Sequence, residues 1–310
     1  MSTEPTLQSD QVRRFLFEER PVRGHWVRLE RAWRELRAHS AYPPPVGELL
    51  GQAVAAAVLL AATLKFRGTL TLQLQGSGAV NLLVAQCTHD FRLRAVARFE
   101  EALVAQLHAA AATAGAFRAL VGDDGRFTVT IEADEMSRRY QGIVPLSGDS
   151  MARSLEAYFA SSEQLPTRVL LAADDTRIAG LLLQKLPAAG EDPWSDPAAA
   201  WREAERGMER VAPAELLGAP VEPLLLRSFP GQDLRLFRGA AVRFECRCST
   251  GRVAGVLRAL GEGEMRDILR EQGAVTVTCE FCHRPFHFDS IAIEALFAEG
   301  PAADEAPVLH

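Results

Sequence analysis

Cysteine is scarce in this sequence: five thiols in 310 residues, at positions 87, 246, 248, 279 and 282. So few cysteines do not make the disulfide framework of a small secreted domain, and a cluster of them in a reduced compartment points to metal or redox chemistry. Long apolar runs are also missing. The longest, AVAAAVLLAATL at 53–64, falls short of the about 20 residues that span a bilayer. The opening MSTEPTLQSDQVRRFLFEERP has no continuous apolar core of the secretory kind. The expectation is a cytoplasmic protein with no membrane partner. There is no excess of positive charge, and a net charge of -6 argues against a nucleic-acid partner, since non-specific binders are normally basic.

Phosphate cradles and hydrolytic motifs are absent as well. No G-x-x-x-x-G-K-[ST] loop and no H-E-x-x-H pair occurs. Gly76-Ser77-Gly78 begins like a dinucleotide fingerprint, but no glycine follows at the required spacing, and a hairpin turn is the expectation. Gly148-Asp149-Ser150-Met151-Ala152 lacks the last glycine of a hydrolase elbow, and Ser150 stands where a helix N-cap belongs. The chain is not expected to be an enzyme.

What is present is a concentration of thiols near one end. CRC at 246–248 and CEFC at 279–282 place Cys246, Cys248, Cys279 and Cys282 within 37 residues, with a 30-residue spacer between the pairs. Two close pairs that fold back on each other make a four-thiolate zinc pattern, tetrahedral with zinc–sulfur bonds near ~2.3 Å. Residues two apart on an extended segment point to the same side, so Cys246 and Cys248 can face one ion. Their Cα atoms would then lie roughly 6.4–6.8 Å apart, at the edge of the disulfide range. An inert structural site and a reactive one with a strained, labile disulfide both remain open on spacing alone. His283 and His287 flank the second pair, but four cysteines already complete a tetrahedron, so places beside the ligands or facing solvent are expected of them. Cys87 ends an apolar strand and reads as a buried, inert thiol.

The fold reads as α+β. Strands or extended segments are expected at 11–17 (where a short helix is the alternative), 22–29, 69–75, 79–87, 92–98, 126–134, 139–147, 167–173 and 177–186. Helices are expected through Ala38, over about 46–64 and over about 150–162, with Ala-rich, partly helical sequence at 100–120. The 46–64 helix is apolar nearly all round and therefore buried. Residues 1–187 read as one N-terminal mixed domain with a mainly antiparallel sheet. Residues 188–240 read as a charged helical linker, with Asp196 capping a helix that starts at Pro197. Residues 241–310 form a small C-terminal zinc-binding segment, with Ser249 and Asp289 or Ser290 as helix starts, Gly273 as a C-terminal cap and a disordered tail after Gly300.

The CxC–spacer–CxxC pattern resembles the heat shock protein 33 family, bacterial redox-regulated chaperones. RFLFEERPVRG at 14–24, YPPPVGELLGQAVAAAVLLAATLKFRGTLTLQLQGSG at 42–78, RYQGIVPLSGD at 139–149 and SEQLPTR at 162–168 are similar to that family's N-terminal domain, and the similarity runs over essentially the whole chain. The resemblance implies a chaperone core at 1–187, a linker at 188–240 and a redox-switch domain at 241–310. It implies an ATP-independent holdase for unfolded or aggregation-prone client proteins in the oxidative stress response, inactive when reduced with one Zn2+ per chain and active when oxidised. It leaves room for a homodimer in the oxidised state. Cys246, Cys248, Cys279 and Cys282 take the family's zinc-ligand positions, and its oxidised pairing maps to Cys246–Cys248 and Cys279–Cys282. One departure is His283, where many members carry glycine, and it bears on the turn geometry and redox threshold of the second knuckle.

Two other readings compete. One is a zinc-ribbon binding module with inert metal. The other is a thiol oxidoreductase using CEFC, although such motifs sit at a helix N-terminus in a βαβ fold, whereas Cys279 ends a β-rich segment.

Overall fold

Three consecutive prolines, Pro43–Pro45, fix where the longest helix among the described residues begins. Pro43 is extended (φ −55°, ψ 147°) and Pro44 opens the helix, where a missing N–H and a fixed φ cost nothing. The computed structural model describes residues 10–18, 20–110, 116–133, 140–187 and 197–298. It divides into two compact units, Met1–Glu245 and Cys246–His310.

The first unit opens with strands β1 (Gln11–Phe17) and β2 (Val22–Leu29), a short helix α1 (Arg31–Arg37), and the proline-started helix α2 (Pro44–Thr63). It continues with β3 (Gly68–Gln75), β4 (Val80–Thr88), β5 (Arg92–Phe99), α3 (Glu101–Ala110), α4 (Ala116–Val121), β6 (Arg126–Ala133) and β7 (Tyr140–Pro145). Next come α5 (Met151–Tyr158), a π-turn at Phe159–Glu163, β8 (Thr167–Ala173) and β9 (Ile178–Lys185). Residues 11–17 are thus strand, with Phe15 and Phe17 on one buried face. The 150–162 helix changes to π-turn after Tyr158, and Ser150 caps its start by accepting from the Arg153 backbone N–H. Gly76-Ser77-Gly78 is the expected hairpin turn between β3 and β4, with the Gly76 N–H donating to Asn81 O.

The architecture is α+β with two mainly antiparallel sheets where the alternating strands suggested one. The first runs β10-β1-β2-β9-β8 and the second β12-β5-β4-β3-β6-β7, with β10 (Leu234–Leu236) and β12 (Arg243–Phe244) contributed from much later in the chain. Strand alternation shows which faces are buried; it does not show that the strands sort into two stacks. α2 lies against β2, β8 and β9 of one sheet and β3, β4 and β5 of the other. This placement explains why fifteen of its twenty residues are buried. Its apolar run alone is too short for a bilayer, but the complete helix is long and apolar enough by length and composition, and the core of this unit is what buries it.

The described part of the linker is helical as far as Ser228, with α6 (Pro197–Glu209), α7 (Pro213–Gly218) and α8 (Val221–Ser228), and its last residues turn to strand. Asp196, expected as a cap, lies outside the described residues, as does the tail. These helices cover the other face of the first sheet. Ala204, Met208, Leu216, Leu224 and Leu225 share one buried cluster with Phe15, Trp26, Leu181 and Leu183. After α8 the chain forms β10 (Leu234–Leu236), β11 (Ala240–Ala241) and β12 (Arg243–Phe244). β10 and β11 pair with β1, and β12 pairs in parallel with β5. Residues 241–245, grouped with the C-terminal segment on sequence grounds, therefore complete sheets of the first unit.

The second unit contains α9 (Thr250–Leu260), α10 (Glu262–Gln272), the hairpin β13 (Val275–Thr278) and β14 (Pro285–Phe288), and α11 (Ser290–Ala298). Ser249 caps α9, Gly273 ends α10 at φ 76°, and Asp289 Oδ1 accepts from the Ala292 N–H at the start of α11. The core is small: Leu257, Met265, Val275, Phe286, Phe288, Ile293 and Leu296.

Candidate metal centre

The second knuckle is built by the β13–β14 hairpin. β13 ends at Thr278 and delivers Cys279 to a tight turn. The Cys279 N–H donates to Arg284 O at 3.0 Å, and the His283 N–H donates to Cys279 O at 2.8 Å. These bonds curl the CEFC segment so that both sulfurs face inward. His283 closes the turn at φ 50°, the left-handed region that suits glycine and strains an imidazole-bearing residue. The departure noted in the sequence thus falls on the one position of the knuckle where the backbone favours glycine. Arg284 stacks over Phe286, its guanidinium carbon 5.3 Å from the ring centroid. The first knuckle runs into α9, with Cys248 directly before the Ser249 cap.

The four cysteines meet. Their sulfurs all lie within 4.8 Å of one another. Cys246 Sγ is 3.6 Å from Cys279 Sγ, and Cys248 Sγ is 3.4 Å from Cys282 Sγ. Ligands at ~2.3 Å in a tetrahedron place sulfurs roughly 3.8 Å apart, so the geometry and the all-sulfur donor set fit one zinc ion. All four residues are half-buried, and Cys248 and Cys279 pack against the small core. His283 and His287 stand outside the group. His287 is exposed, with Nδ1 3.0 Å from Thr276 Oγ1.

The thiols differ in acidity. At Cys246 burial opposes ionisation, but hydrogen bonds from the Cys248 backbone N–H and from the thiols of Cys282, Cys248 and Cys279 outweigh it and hold the thiol below its ordinary range. Burial first, and then the neighbouring sulfurs of Cys282 and Cys246, push the Cys248 thiol up. Burial also raises Cys282. Negative charge collected by several sulfurs in one pocket is what a soft dication relieves. Cys87 is fully buried in β4, and burial followed by the charge of Asp90 raises its thiol strongly. Its burial, as expected, is the setting of an unreactive thiol.

The sequence matches the model of the Hsp33 protein family over residues 10–289. The chain belongs to the Hsp33 family. Curated relatives named 33 kDa chaperonin include that of Nitrosococcus oceani, 41% identical over 301 residues that cover 97% of this chain and 99% of that one. The 33 kDa chaperonin of Pseudomonas paraeruginosa is 42% identical over 303 residues, covering 95% and 98%. The crystal structure of the 33 kDa chaperonin from Thermotoga maritima shares the fold, with a TM-score of 0.76 at 20% identity over 94% of this chain and 98% of that one. The relatives carry the name of a chaperone, a non-enzymatic function.

Sequence reasoning did not find a second constellation, in the first unit. Asp90, Arg92, Arg243 and Glu245 close a ring of alternating charge, with contacts of 2.7 Å (Arg92–Asp90), 3.0 Å (Arg92–Glu245), 3.3 Å (Arg243–Asp90) and 3.3 Å (Arg243–Glu245). Its halves lie about 150 positions apart, and no local pattern announces a partner at that distance.

Proposed function

We propose that the chain is a redox-regulated, ATP-independent holdase of the cytoplasm that captures unfolding proteins under oxidative stress. The observation that carries this reading is the set of four thiols within 4.8 Å in a unit whose core, among its described residues, holds only seven buried apolar side chains. So small a core offsets little chain entropy, whereas structural zinc contributes roughly 10–16 kcal/mol to the folding of comparable modules. Zinc, when bound, supplies the cross-link between the two knuckles.

The cysteines do the rest. A disulfide needs ~2.05 Å between sulfurs, and the sulfurs here stand 3.4 and 3.6 Å apart across the knuckles. Forming each disulfide passes two electrons and two protons from a pair of thiols to the oxidant, with peroxide reduced to two waters, and the pair can then no longer serve as thiolate ligands. The proposed pairs are Cys246–Cys248 and Cys279–Cys282. Without its cross-link the second unit loses most of what folds it. Within the first unit the apolar supply lies under the linker: Leu224 and Leu225 are buried against the same cluster as Phe15, Trp26 and Leu181. Release of α6, α7 and α8 would bare that sheet face, the kind of contiguous apolar surface on which unfolding chains are held.

The test measures zinc content and suppression of client aggregation on the same samples, reduced and after peroxide, without nucleotide. The expected result is one zinc per chain and no suppression when reduced, then zinc release and suppression after oxidation. Equal suppression in both states would reject redox control, and none in either would reject the holdase.

A further inference from the structure

Residues 233–245 form a strap that closes one edge of each sheet in the first unit. Leu234, Arg235 and Leu236 pair with Phe17, Leu16 and Phe15, and Ala240 and Ala241 pair with Val12 and Gln11. The strap then crosses to the other sheet, where Arg243 and Phe244 pair in parallel with Arg92 and Leu93. Its backbone donors reach both edges: Phe237 N–H to Arg14 O at 2.9 Å, Val242 N–H to Asp10 O at 3.1 Å, Arg243 N–H to Phe91 O at 3.0 Å and Glu245 N–H to Leu93 O at 3.0 Å. Alternate side chains fill apolar sites. Leu234 and Leu236 pack on the cluster beneath the linker. Val242 is buried in the main core, and Phe244 packs against it.

Each paired stretch is two or three residues long, so no single one holds strongly on its own. The ring of Asp90, Arg92, Arg243 and Glu245 pins the far end, and the next residue in the chain is Cys246, the first thiol of the metal centre. Held within the first unit by its ladders at one end and by this ring at the other, the strap runs directly into the second unit. When that unit unfolds, the strap becomes the base of a loose tail, and its short ladders can fray. What it leaves is two bare strand edges, each with apolar sites at every second position. That is the receptor geometry for strand addition, in which main-chain hydrogen bonds give affinity for any extended segment and pockets select alternate apolar side chains.

The geometry points to the strap as the resident occupant of a strand-docking site on β1 and β5 that, in the opened protein, receives extended apolar segments of unfolded clients. This inference rests on the holdase reading above and specifies the mode of capture. It makes backbone hydrogen bonding, and not apolar contact alone, the basis of client tolerance.

The test uses the full-length protein and a fluorescent peptide of its own residues 232–245, QDLRLFRGAAVRFE. The peptide should bind the peroxide-opened protein and leave the reduced, zinc-loaded protein unbound. N-methylation of the peptide amides at Phe237 and Glu245 removes two of the donors named above without altering side chains. It should weaken binding about tenfold or more, the size expected for losing these bonds and leaving their acceptors unmet. The unmodified peptide should also displace reduced, carboxymethylated α-lactalbumin, a permanently unfolded client, from the opened protein. Failure of the peptide to bind, or equal binding of the methylated form, overturns the docking site. A client held by the opened protein but not displaced overturns it too, while leaving the holdase reading in place. An opened protein that holds no client at all overturns both.

Discussion

Cys246 Sγ lies 3.6 Å from Cys279 Sγ, a contact that joins the two knuckles across 33 positions of sequence. Each knuckle therefore depends on the other for its place, and the site should fail as a whole. Cys279→Ser should abolish tight zinc binding and loosen the second unit. Cys87→Ser, in a buried strand of the other unit, should leave zinc at one per chain. Metal analysis of the two variants decides, and full zinc in Cys279→Ser would sink the four-thiolate site.

Oxidation should nevertheless join Cys246 to Cys248 and Cys279 to Cys282. The contacts across the knuckles belong to the folded site, and once it opens, thiols close in sequence keep the highest effective concentration because closing the long spacer costs more entropy. Peptide mapping after peroxide treatment reads the pairing directly. A dominant Cys246–Cys279 or Cys248–Cys282 bridge would show instead that oxidation captures the folded arrangement.

His283→Gly should stabilise the second knuckle. The left-handed backbone at φ 50° costs a side-chain-bearing residue about 1 kcal/mol relative to glycine. Zinc release under peroxide, followed with a chromogenic chelator, should slow by several-fold if opening limits the rate. An unchanged or faster release would mean that the turn is not where the unit opens.

Acid should weaken the first unit through His25. Burial, followed by the charges of Arg23 and Arg14, lowers this imidazole from 6.5 to about 4, and its Nδ1 has no hydrogen-bond partner among the described residues. The unfolded chain takes up the proton from about pH 6.5 downward, while the folded chain resists it until about pH 4. Stability should therefore fall across that window by on the order of 3 kcal/mol and level off below it. Urea midpoints at pH 7, 5 and 4 should show the slope, and His25→Leu should flatten it. An equal slope in the variant would assign the effect to other groups.

The helix starts at Ser150 of α5 and Ser249 of α9 were readable because they rest on local chemistry, and α2 was placed to within two residues, expected from about 46 and opening at Pro44. The clustering of the four cysteines was readable for the same reason, since the two residues of each knuckle are neighbours in sequence. What was not readable depends on partners far apart. The sorting of strands into two sheets, the pairing of Phe15 with Leu236 and the bridging of Arg92 to Glu245 leave no periodic trace in either segment. Leu224, Leu225 and Leu226 look alike in sequence, yet the first two are buried and Leu226 is 65% exposed. Which of the three turns inward is set by the sheet beneath the helix.

The register of Phe15 with Leu236 also sets an order of events during synthesis. At ~5–20 residues per second the ribosome needs roughly 10–40 s to make the stretch between them. Only in its last part, once β8 and β9 have been made at Lys185, can the first sheet form, and it then has no later strand available to cover its edge. Every newly made copy thus passes through a sticky infancy, and the C-terminal third acts as a late-arriving guard for the strands made first. A chain stalled before residue 234 would have the edge without the guard.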